Sequence, residues 1–121
     1  MNQSAILKYF RYHFPEQYIK AVNEVQSAPI AIDVLRNVYD AIAPSDYKSM
    51  YFICVCSLIY SPSTIKAGNY LRVGLISELA CILNVSKPAI SRRLPSIRHY
   101  YNNVSWFRDN VDKIVKEVRG E

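Results

Sequence analysis

Residues 74–94 read GLISELACILNVSKPAISRRL, and no other stretch limits the folding of this chain so tightly. Leu75, Ile76, Leu79, Ala80, Ile82 and Leu83 recur at helical spacing and make one broad apolar stripe. Asn84 comes next, a residue that tolerates the left-handed conformation in which a helix ends and the chain turns. Val85 plugs the corner. Ser86 is a good N-cap for a following helix, and Lys87 and Pro88 fill its first turn, where proline forfeits no hydrogen bond. Ile90 and Leu94, four apart, anchor that second helix inward, and Ala80 is small where the two helices must cross closely. The expected result is a helix, a tight turn and a second helix that leaves Lys87, Ala89, Ser91, Arg92 and Arg93 towards solvent or a partner.

The charge distribution points to the same stretch. The chain carries +5 in total, with a pI near 9.2. Residues 64–100 hold six basic side chains (Lys66, Arg72, Lys87, Arg92, Arg93, Arg98) and one acid, Glu78, while the remainder holds nine of each. The whole excess therefore lies in the segment around the turn, as a localised electrostatic footprint for an anionic partner requires.

The rest of the chain reads as helical support. With 121 residues it fits one domain with a real core, and half of those residues are hydrophobic. Three glycines and six prolines argue for long regular elements over a loop-rich β fold. Ile6, Leu7, Phe10 and Phe14 suggest a first helix over residues 1–14, capped by Asn2 or Ser4. Pro15, Pro29, Pro44 and Pro62 then punctuate the chain, each suited to the first turn of a new helix. Tyr18, Ile19, Val22 and Val25 share a face of residues 15–26, and Ile32, Leu35, Val38, Tyr39 and Ile42 share a face of 29–43. Ser45 is expected to cap a segment ending near Tyr60, apolar on all sides in its second half; a buried central helix is the preferred reading, and a β-strand the alternative that β-branched Ile53, Val55 and Ile59 leave open. Residues 61–70 contain Pro, Gly, Ser and Asn and read as a loop. Residues 1–60 then form a scaffold of four helices, 71–98 the helix–turn–helix, and 103–119 a C-terminal helix.

The pattern E-L-A-x-x-L-x-V-S-K-P-A-I-S-R-R-L resembles the helix-turn-helix core of bacterial transcription regulators, and is most similar to the winged MarR, Lrp and ArsR types. The resemblance covers residues 72–97. It implies an all-α helical bundle carrying a helix-turn-helix whose second helix enters the major groove of double-stranded DNA. Carried over by position, Ser86, Lys87, Pro88, Ser91 and Arg92 are the expected contacts to base edges. Arg72, Arg93, Arg98 and His99 are basic side chains nearby that are candidates for phosphates, His99 reading otherwise as an ordinary surface histidine. Arginine and lysine read guanine edges, while other basic groups fix register on the backbone. Two residues depart from the pattern. Asn84 replaces the usual glycine of the turn. Pro95 removes a donor and crowds the carbonyl of Ser91, so the second helix is expected to stop or kink there after about two turns.

Beyond the motif two readings stand open. Residues 98–107 could form a hairpin turning at Asn102 and Asn103, the minimal wing of a winged form. Alternatively 96–101 continues as helix and a new helix starts after Asn103. The second is preferred, because Val104, Phe107, Val111, Ile114 and Val118 recur at steps of three and four. That seam either closes the chain's own core or builds a homodimer able to reach two half-sites.

Other chemistry finds little support. Cys54, Cys56 and Cys81 lie in apolar runs and read as free thiols in a reducing compartment, the first two buried and none a metal ligand. His13 and His99 stand alone, and the ten tyrosines are scattered over apparent core positions. No phosphate loop, carboxylate pair or nucleophile triad suggests an enzyme or a cofactor. The apolar run at 50–60 is shorter than the ~20 residues a membrane span needs. The expected function is sequence-specific duplex DNA binding in the cytoplasm by a homodimeric regulator of a bacterial, phage or mobile-element gene. The alternative is an adaptor in replication, partition or secretion whose basic face meets a protein.

Overall fold

A computed structural model describes residues 12, 13 and 29–120. The two helices expected before Pro29 fall outside the described residues, apart from Tyr12 and His13. The others form an all-α bundle: α1 (Ile32–Ala41), α2 (Lys48–Tyr60), α3 (Pro62–Lys66), α4 (Val73–Leu83), α5 (Lys87–Asn103) and α6 (Ser105–Arg119). No strand occurs among the described residues, so the hairpin wing is not formed; residues 96–103 are helical, as preferred.

The bundle is arranged around α2, which packs against every other described helix. Residues 52–58 are all buried, including Cys54, Cys56 and Ser57. A hydroxyl so placed needs an internal acceptor, and Ser57 Oγ donates to the carbonyl of Ile53 at 2.6 Å. The start of α2 departs from expectation. Ser45 does not cap it; Tyr47 is the N-cap residue, and Ser45 Oγ accepts from the Tyr47 N–H instead, at 3.2 Å. Helix α1 lays Leu35 and Val38 on α2, and its first residues are tied there by the Ala31 N–H donating to the Tyr60 hydroxyl at 3.3 Å. It begins at Ile32, not at Pro29.

The expected loop at 61–70 contains a helix of its own, α3. Proline at its first position costs no bond, and its polar residues are buried because they satisfy one another. Ser61 Oγ and Thr64 Oγ1 lie 2.9 Å apart, Thr64 Oγ1 donates to the Tyr70 carbonyl at 3.1 Å, and the Arg72 N–H donates to Ser61 Oγ at 3.4 Å. Composition alone made this stretch look exposed.

Helix α6 turns its seam towards the chain's own core. Phe107 and Val111 are fully buried within their own chain, with Val115, and Val104, Ile114 and Val118 pack beside them. The stripe closes the protomer core against α1, α2 and α5. In the single chain Phe107 and Val111 thus serve the protomer core, the first of the two readings. Tyr101 reinforces the α5–α6 contact by donating to Asp112 Oδ1 at 2.8 Å.

Candidate nucleic-acid interface

Helices α4 and α5 are joined by three residues and bent by 101°. Asn84 makes the bend with φ 54° and ψ 49°, the one non-glycine residue at positive φ among those described. Its N–H donates to the Cys81 carbonyl at 3.2 Å, and the next N–H, that of Val85, reaches the Ala80 carbonyl at 3.0 Å. The last carbonyls of α4 are thereby satisfied. Ser86 then caps α5, its Oγ accepting from the Ala89 N–H at 3.2 Å.

Helix α5 does not stop at Pro95. It runs seventeen residues, about 25 Å at ~1.5 Å per residue. The expected break is absent for a positional reason. Ser91 and Pro95 both stand on the exposed side, where the carbonyl that loses its donor is open to water. Ile90, Leu94, Ile97 and Tyr101 make the buried stripe, and Pro88, Arg92, Pro95 and His99 lie opposite.

The expected base-edge residues share one exposed end. Lys87, Pro88, Ser91 and Arg92 occupy the outward side of the first two turns, next to Ser86. No hydrogen bond or ion pair among the described residues engages Lys87, Arg92 or Arg93, so these cations are free to meet an external anion. Arg92 and Arg93 border a groove of about 350 Å³ between α5 and the start of α2, completed by Ser96, Asp46, Ser49 and Met50.

The expected phosphate residues do not form one group. Arg93 is half-buried on the α2 side of the helix. His99 is exposed on the outward face, where the Asn103 side-chain amide donates to its carbonyl at 3.0 Å. Arg98 departs from expectation: its Nε donates to the Thr64 carbonyl at 2.8 Å, which braces α3 on the other flank of the helix. Arg72 is half-buried at the far end of α4, about 16 Å of helix from the turn, with Nη1 enclosed and unbonded.

Several exposed apolar residues are additional to these. Tyr70 is 97 % exposed, beside an exposed Val73 at the start of α4. Trp106, 46 % exposed, and Tyr47, 37 % exposed, form an aromatic corner where α2, α5 and α6 meet. The available signal was their position, since Tyr70 lies outside any apolar stripe and Trp106 falls off the 104/107/111/114/118 seam.

The titratable groups of the core are structural. Burial pushes the Cys54 and Cys56 thiols well above the usual 9.0, which keeps them protonated and unreactive; Cys81 is exposed. Burial, and then the bond to Asp112, raises Tyr101, and burial lowers Lys66. No His, Cys, Asp or Glu group suited to a metal occurs among the described residues, and no single helix there is long and apolar enough to cross a membrane.

No family model, curated protein or solved structure matches the chain.

Proposed function

We propose that this chain binds double-stranded DNA by inserting the first turns of α5 into the major groove. It would act as a homodimeric transcriptional regulator of the helix-turn-helix kind. The observation that carries the reading is the α4–α5 pair itself. A three-residue turn and a 101° bend fall within the ~90–120° of helix-turn-helix pairs, and the second helix presents unpaired Lys87 and Arg92 at its exposed start. Lys87, Ser91 and Arg92 read base edges in this arrangement, with Pro88 against the groove wall. Arg93 supports them at the phosphates.

A double substitution, Lys87→Ala with Arg92→Ala, tests this. Retention on duplex DNA should disappear while helix content by circular dichroism stays unchanged, because neither side chain supports the fold. For the native chain, log affinity should fall against log salt with a slope of about −0.9 for the phosphate contact of Arg93, rising to about −2.7, or about 40-fold between ~50 and ~200 mM, where Lys87 and Arg92 displace counterions as well. A double variant that still retains duplex DNA would exclude this helix as the reading element.

A further inference from the structure

The aromatic corner is built around the far end of the helix that carries the basic residues: Tyr100 belongs to α5, Trp106 to the start of α6, and Tyr47 caps α2. Trp106 and Tyr47 pack edge to face with centroids 5.2 Å apart. Tyr100 sits 6.1 Å from Tyr47 and 6.2 Å from Trp106. Beneath them Tyr51 stacks on the buried Phe107 at 4.8 Å and 17°. The inner rings belong to the core. The outer two are held in place by them and still show much of their surface to solvent, so a flat ligand would meet rings that are already ordered.

Size decides what the corner can hold. At ~250 Å² for a whole aromatic side chain, the exposed parts of Trp106 and Tyr47 amount to on the order of 200 Å². A stable protein–protein interface needs about 800 Å² from each partner, so this patch does not suffice for a second copy of the chain. It suits a single planar ring. Charge decides the class. Arg93 and Tyr100 share one flank of α5, seven residues or about 11 Å apart, and Ser96 lies between them. That is about three nucleotide rises along a strand. Asp46 is the one acid bordering the groove, facing two arginines. A phosphate strand that passes Arg93 thus arrives at the aromatic corner. A base inside a duplex cannot turn its face to a protein ring, whereas an unpaired one can.

The geometry points to the Tyr47–Trp106 corner as a stacking platform for an unpaired nucleobase on a DNA strand whose phosphates are held by Arg93. This rests on the DNA-binding reading and extends it to a junction of duplex and single strand.

Trp106 is the only tryptophan of the chain, so its emission reports on the corner alone. The probes are a blunt duplex and the same duplex extended by a few unpaired thymidines at either the 5′ or the 3′ end, compared at low salt. One of the extended duplexes should bind about tenfold more tightly than the blunt one and quench the tryptophan, which the blunt duplex should not do. Trp106→Ala should lose that preference while keeping blunt-duplex affinity, and Trp106→Phe, which retains a ring, should preserve most of it. Equal affinity for all three duplexes, with blunt binding intact, overturns the platform and leaves the DNA-binding reading standing. Failure to bind any of them removes both. A halved mass by light scattering for Trp106→Ala assigns the corner to contact between copies and overturns the platform as well.

Discussion

At residue 84 the backbone adopts a left-handed conformation that costs most side chains roughly 1–2 kcal/mol. Asparagine meets that demand with little strain, and glycine would meet it with none. Asn84→Gly should therefore leave the urea midpoint nearly unchanged, whereas Asn84→Val should cost about 1–2 kcal/mol. Equal midpoints for the two variants would mean that the turn is not held in this conformation in solution. This corner was legible in the sequence because everything that makes it is local: an αL-tolerant residue, a plug, an N-cap and a proline within five positions. Arg98 was not legible in the same way. Its carbonyl partner, Thr64, lies thirty-four residues earlier in the chain, and no local pattern announces a bond of that kind.

Among the elements, sequence reasoning misjudged the length of α5. A proline inside a helix forfeits one bond and crowds a carbonyl, and that penalty was expected to end the helix. Packing overrides it, because Ile97 and Tyr101 continue the buried stripe of Ile90 and Leu94 beyond Pro95. Pro95→Ala should restore the missing donor to Ser91 and raise stability by up to about 3 kcal/mol in chemical denaturation. A variant no more stable than the native chain would mean that the solvated carbonyl already offsets the loss. The error at α3 has the opposite sign. Serine, threonine and proline look like loop, and only the tertiary hydroxyl network turns them into buried helix. Both errors share a cause: local propensity is worth a fraction of what packing and satisfied polar contacts contribute.

For the molecule as a whole, the seam on α6 shows what periodicity leaves open. Steps of three and four identify a stripe that must be covered, but not whether the cover is the same chain or another. Here α1, α2 and α5 cover it. Phe107→Asp with Val111→Asp should accordingly abolish cooperative unfolding, because two charges would be buried in the protomer core. A folded monomer from that variant would instead place the seam between copies. The same division between inner and outer faces has a consequence for how such a chain changes over generations. Ile90, Leu94, Ile97 and Tyr101 carry the packing of α5, while Pro88, Ser91 and Arg92 carry none of it. Substitutions on the outer face are thus nearly invisible to folding, and descendants of this sequence can exchange those few residues and acquire new targets with the framework beneath intact.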